Sequence, residues 1–245
     1  MFIALPFTGL EWLPILLGIA AAYVVFGIAG FGTALIAGPV LIHFMPLSRI
    51  IPLLVLLDFV AAFGNLLPSR RDVVRSELLR LLPCMALGCT LGVAFLLHLK
   101  SDLLLLLMGL FVTAYALYSL CVKARPQRLA AAWAVPMGTV GGLFGALFGS
   151  GGFLYAIYLS ARLTAKEHVR ATQSALISCS TLVRLALFLV AGVYADSRLL
   201  WLAVCLLPVM AIGLSLRLSR EAFVRLVTWL VLASGLALIG RYLTG

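Results

Sequence analysis

The sequence predicts an all-α polytopic membrane protein made of two inverted-topology repeats, and three observations lead there. Hydrophobic residues make up 64% of the 245, charged residues only 11%, and the mean hydropathy is +1.19. A soluble domain carries roughly a quarter charged residues. Two glycine-rich breaks, FGIAGFGTALIAGP at 26–39 and FGALFGSGGFLYAIYLS at 144–160, interrupt apolar runs at corresponding places in the two halves. The basic residues, finally, gather in loops that one topology brings to a single side of the bilayer.

Apolar runs between charged or Pro/Gly punctuation give about ten segments. They are 10–31, 33–46, 50–67, 80–99, 101–122, 130–148, 152–163, 171–195, 199–216 and 222–243. The first follows MFIALPFTGLEWLPILL, which has no basic n-region and no small-residue cleavage pattern. It is expected to be a membrane segment and not a signal peptide. Segments 33–46 and 152–163 are too short to span, because a crossing helix needs about 20 residues. Each follows a glycine break. The pairs 10–46 and 130–163 are therefore expected to be Gly-broken helical hairpins that return to the side they entered from.

With both pairs returning, the loops 68–80, 123–128, 162–170 and 217–225 share one side. They hold Arg70, Arg71, Arg75, Arg80, Lys123, Arg125, Arg128, Arg162, Lys166, Arg170, Arg217, Arg220 and Arg225, thirteen of the 18 basic residues. Arg49, Lys100, Arg198 and Arg241 fall on the other side, and Arg184 lies inside a segment. The positive-inside rule then places the basic loops in the cytoplasm and both termini outside. Residues 1–122 and 130–245 become two transmembrane repeats of opposite orientation, joined by a short cytoplasmic linker at 123–129 within a single domain. This is an architecture common among secondary transporters. GIAGF at 27–31 aligns with GSGGF at 149–153 in support. The competing reading is a bundle of eight ordinary helices with glycines at packing contacts.

Several function classes lose ground on the same composition. A net charge of +10 held in short loops sets orientation and does not point to nucleic acid. The five cysteines, Cys84, Cys89, Cys121, Cys179 and Cys205, lie in apolar segments without CxxC spacing, so buried thiols are expected and not a metal site. His43, His98 and His168 sit near segment ends, where interfacial solvation accounts for them. The chain has no nucleotide-binding loop, and no cofactor is expected.

The breaks carry the chemistry. Each short helix begins just after its glycines, which aims backbone N–H groups and a positive dipole end at the membrane interior. Two such ends facing one midplane site would hold an anion. Gly27, Gly30, Phe31, Gly32 and Thr33 form one tip; Gly149, Ser150, Gly151, Gly152 and Phe153 form the other. Arg184 is the expected fixed cation, with Thr181 beside it, since a charge inside a membrane helix marks a functional site by default. Asp58 lies about 13 Å below the outer surface counted from Arg49, and Arg184 about 21 Å above the inner one counted from Arg170. The two could therefore pair across a core of roughly 30 Å. Asp58, Asn65, Gln173, Ser174 and Ser178 are candidates for coupling or gating. Burial opposes the charge of Asp58 and a nearby arginine favours it, which suits a proton-coupling group. The simplest account of any one Ser or Thr is a bond to its own helix backbone.

GIAGFGTALIAGPVLIHF early in the chain and GALFGSGGFLYAIYLSARLTAKEHVRATQSALIS in the second half resemble the sulfite exporter TauE/SafE family. The resemblance implies a small bacterial inner-membrane, multi-pass transporter of sulfite, organosulfonates or related sulfur oxyanions. It also implies that the glycine breaks and the helix holding Thr172 to Arg184 carry the transport path. MPLSRIIPLLVLLDF in the first half lacks the HVRATQSA pattern of the second. The expected activity is alternating-access export of a small anion within the lipid bilayer, powered by the proton gradient or the membrane potential. A passive channel or an importer of the same anion stands next to it. An intramembrane enzyme or a scaffold subunit is more remote, because only Asp58 and Arg184 are deep.

Overall fold

The computed structural model describes residues 12–30, 32–99, 129–195 and 197–215, with scattered positions between 103 and 113. Eight helices run through the continuous stretches: α1 (Trp12–Ala29), α2 (Thr33–Leu41), α3 (Leu47–Ser69), α4 (Arg75–His98), α5 (Ala134–Phe148), α6 (Gly152–Arg162), α7 (Lys166–Val190) and α8 (Ser197–Ser215). Among the described residues there is no strand. The expected segments 101–122 and 222–243 lie largely or wholly outside them.

Leu47–Gly64, Arg75–His98, Ala131–Phe148 and Lys166–Val190 are long and apolar enough to cross a membrane. Trp12–Gly27 and Arg198–Leu214 are shorter apolar helices. The short segments expected after each glycine break are α2, nine residues, and α6, eleven residues. One set of boundaries differs from expectation. Arg49, Arg80 and Arg170, read from sequence as loop residues, ride on the opening turns of α3, α4 and α7. Arginine is a good helix former and can reach polar surroundings along its stem, so an apolar run extends through it.

α3 packs against α7. α4 lies on α5 and α7, and α8 lies on α1 and α3. Within the broken pairs α1 contacts α2 and α5 contacts α6, while α2 rests on α3 and α6 on α7. Exchanging the first four helices for the last four, in order, maps these main packings onto one another, though not the slighter α3–α4, α3–α5 and α5–α7 contacts. The α4–α5 seam is closest where Gly88 stands against the carbonyl of Thr139 and Gly142 against that of Met85, spots where any Cβ would overlap backbone. This is the small-residue packing that lets helices approach without a hydrophobic drive.

Large apolar side chains also point outward. Leu79, Leu87, Leu91 and Phe95 on α4, with Trp201 and Val204 on α8, are exposed. Such faces suit lipid and not water. α2 is the reverse, buried along nearly its whole length from Thr33 to Pro39. Its last turn is closed by a neighbour that the sequence reading left to interfacial solvation: His43 Nδ1 lies 2.9 Å from the carbonyl oxygen of Pro39.

Candidate functional site

Both breaks are built on left-handed glycines. At the first, the Gly30 N–H donates to the Phe26 carbonyl at 2.7 Å, and Gly32 has φ 94°. At the second, the Gly149 N–H donates to the Gly145 carbonyl at 3.0 Å with φ 60°. Only glycine takes such φ values without strain. A new helix starts at once after each break, with Leu35 N–H on the Gly32 carbonyl and Leu154 N–H on the Gly151 carbonyl, both at 3.2 Å. Neither α2 nor α6 has a side-chain cap, so no side chain consumes their first N–H groups.

The two breaks meet. A Cβ on Gly149 would come within 2.8 Å of the Cβ of Ala34, in the first turn of α2. A small cavity of about 20 Å³ opens beside this contact. Phe26 and Asp58 line it from the first half; Gly145, Gly149, Gly151, Gly152, Tyr155, Ile177, Ser180 and Arg184 line it from the second. Asp58 is 3% exposed and Arg184 4%.

Each of the two charges is held by its own partners. Arg184 donates through Nη1 to the Gly145 carbonyl at 2.8 Å, through Nη2 to Thr181 Oγ1 at 3.1 Å and through Nε to the Ser180 carbonyl at 3.4 Å. A guanidinium has five N–H groups, so two remain for a guest. Gly145 belongs to the last turn of α5, and a cation there meets the negative end of that helix. Asp58 accepts from Tyr23 Oη at 2.9 Å and from Thr33 Oγ1 at 3.1 Å. The depths read from sequence suggested an Asp58–Arg184 pair. The structure instead joins them by no ion pair, although each feels the other's charge.

The remaining expected site residues divide. Gly30 approaches Ile177 of the cavity wall. Ser150 is fully buried between Gly149 and Gly151, and its hydroxyl has no partner among the described residues. Phe153 is half-buried in the first turn of α6. Gln173 holds that turn from α7 through Nε2 to the Gly152 carbonyl at 3.4 Å. Thr33 is committed to Asp58, and Gly27 faces Leu214 of α8 instead of the cavity. Thr181 bonds the Ile177 carbonyl at 2.9 Å while accepting from Arg184. Ser178 bonds the carbonyls of Ser174, on its own helix, and of Ala62 on α3. Phe31 and the side chain of Asn65 lie outside the described residues.

Sequence reasoning missed Tyr23 and Tyr155. Their signal was available, since a tyrosine in a membrane helix needs a partner for its hydroxyl. It also missed Glu77, read as part of a basic loop. Glu77 is buried and accepts from Arg162 Nη2 at 2.8 Å, Arg80 Nη1 at 2.8 Å and Tyr158 Oη at 2.8 Å.

A family model described as Sulfite exporter TauE/SafE matches residues 15–238, a span that contains both breaks and every cavity-lining residue. The chain belongs to the TauE/SafE family. No curated protein and no solved structure matches it. As a TauE/SafE protein it is a multi-pass membrane protein of a transporter family, not one of enzymes. Among the described residues no group of His, Cys, Asp and Glu is arranged to hold a metal ion.

Proposed function

We propose that this protein is a secondary carrier that exports a small sulfur oxyanion, sulfite or an organosulfonate, across the bacterial inner membrane. One observation carries the reading. The start of α6 and the guanidinium of Arg184 line one buried cavity, and the start of α2 abuts it through Ala34 against Gly149. Backbone N–H groups at helix starts and an arginine fork are the donors that suit an oxyanion's several acceptor oxygens. Ser150 adds a buried hydroxyl that has no partner among the described residues.

Transport follows by alternating access. Residues 1–122 and 130–245 act as inverted repeats linked by 123–129, with both termini outside and one repeat rocking against the other around the anion. The packing set that survives exchange of the two halves supports a two-repeat design. An inside-negative potential favours anion efflux by about 2.3 kcal/mol per charge per 100 mV, so export needs no nucleotide. Asp58 is the group placed to carry a coupled proton, being the carboxylate that lines the cavity.

The test is thermal stabilisation of the purified protein by a panel of sulfite, thiosulfate, sulfonates, sulfate, carboxylates and chloride, with Arg184→Gln in parallel. A shift that grows with a sulfur oxyanion and vanishes in the variant is expected. If no anion shifts the protein, the reading fails. Uptake into proteoliposomes against a concentration gradient then separates a carrier from a channel.

A further inference from the structure

We propose that the cavity selects singly charged oxyanions over doubly charged ones, because Asp58 shares it with Arg184. This rests on the anion-carrier reading above and narrows its substrate class. The charges of the walls decide this. Arg184 contributes one positive charge and Asp58 one negative, and among the described residues no ion pair removes either from the cavity. The start of α6 lines the cavity and that of α2 abuts it at Gly149, each the equivalent of about half a positive charge. The last turns of α5 and α1 reach the same cavity through Gly145 and Phe26 with negative ends of similar size. The walls are therefore close to neutral overall, and a singly charged guest relies on the N–H donors of Arg184 and of the α6 start. A second negative charge on the guest would stand unbalanced, next to a carboxylate, in a place where water cannot screen it.

The other titratable groups around these charges do not alter the count. Tyr23 on α1, Cys89 on α4, Tyr155 on α6 and Tyr194 after α7 are in electrostatic reach of Arg184. Phenols and thiols are uncharged at neutral pH. Asp58 also keeps acceptor capacity. A carboxylate has about four lone-pair sites, and Tyr23 and Thr33 occupy two of them. An acid hydrogen on the guest, as in hydrogensulfite, can use a third.

The experiment compares methanesulfonate, always singly charged, with sulfate, doubly charged, at matched ionic strength. Their binding is read by thermal stabilisation of the full chain and of Asp58→Asn. Wild type is expected to bind methanesulfonate at least about tenfold more tightly than sulfate. Asp58→Asn raises the wall charge and is expected to narrow or invert that ratio. Sulfate binding as tightly as methanesulfonate in wild type, or a ratio untouched by Asp58→Asn, overturns the proposal.

A second measurement needs no variant and covers the case in which Asp58→Asn does not fold. Sulfite loses its last proton near neutral pH and methanesulfonate has none to lose. The affinity for total sulfite, divided by that for methanesulfonate, should fall as pH rises through that ionisation. Protein groups that titrate affect both ligands, so a constant ratio overturns the proposal. If neither anion stabilises wild type at any pH, the carrier reading falls and takes this one with it.

Discussion

Asp58 and Arg184 reach one cavity from opposite halves of the chain, and no ion pair joins them. A buried charge without a direct counter-charge is costly, and here hydrogen bonds offset that cost on each side. Tyr23 and Thr33 hold the carboxylate; Gly145, Ser180 and Thr181 hold the guanidinium. The space between the charges stays open to a guest, which a closed salt bridge would not allow.

Thr181 should matter through Arg184. Its Oγ1 accepts from Nη2, and without it the guanidinium loses one of three anchors. Thr181→Val keeps the shape and removes the acceptor, so anion affinity should fall about five- to tenfold with the fold intact. Thr181→Ser should restore it. The check is ligand-induced stabilisation of both variants, with far-UV circular dichroism as the fold control. Equal affinity in Thr181→Val and wild type would remove Thr181 from the site.

Ser178 should be nearly silent in transport, although it shares α7 with Thr181 and Arg184. Its hydroxyl is committed to the carbonyls of Ser174 and Ala62. Ser178→Ala should leave flux in proteoliposomes within about twofold of wild type, because backbone-bonded hydroxyls in membrane helices contribute only about 0.6 kcal/mol on average. A flux loss of tenfold would show that this bond opens during the transport cycle.

Gly149 is constrained twice. Its φ of 60° disfavours any side chain, and an added Cβ would come within 2.8 Å of Ala34. Gly149→Ala should cost about 1–2 kcal/mol from the backbone alone. The clash adds to that and pushes the second break off α2. Ala34→Gly in the same chain should recover the clash component and not the backbone one. Thermal midpoints of the two single variants and the double variant give the coupling directly. Perfect additivity would mean that the two breaks do not touch.

Much of this was legible in the sequence. Glycine clusters inside apolar runs marked both breaks, because few other reasons place so many glycines in hydrocarbon, and α2 and α6 begin where that reading put them. Arg184 and Asp58 stood out as deep charges in chains of apolar residues, and both line the cavity. Pair geometry was not legible. A count of 1.5 Å per residue gives depth but not the helix rotation that turns Asp58 toward Tyr23 and Thr33. Gly27 looked equivalent to the other tip glycines, yet it faces α8, since only tertiary packing decides which side of a helix end meets which neighbour. Glu77 was hidden for another reason. Acidic residues next to several arginines read as loop charge until the fold shows that one of them is buried.

Glu77 supports the last prediction. It sits in the first turn of α4 and takes donors from α6, through Tyr158 and Arg162, and from Arg80 one turn further along. Arg162 also donates to the Leu129 carbonyl at 3.1 Å, tying the chain that enters α5 into the same cluster. Close by, the N–H of Val74 donates to Thr172 Oγ1 on α7 at 3.0 Å. The cluster thus fixes the far end of α6, whose near end forms the cavity. Replacing the carboxylate should hurt most, because all three donors then lose its charge and one of its two acceptor oxygens becomes a donor. Loss of Arg80, half exposed, should hurt least, as exposed ion pairs contribute little. The expected order of falling thermal midpoints is Glu77→Gln, then Tyr158→Phe, then Arg80→Ala, the last nearly unchanged. Combining Glu77→Gln with Arg162→Gln should lower the midpoint by less than the two single effects together, because they break one interaction. If Arg80→Ala proves as damaging as Glu77→Gln, the cluster is organised around the surface pair and α6 is held by something else.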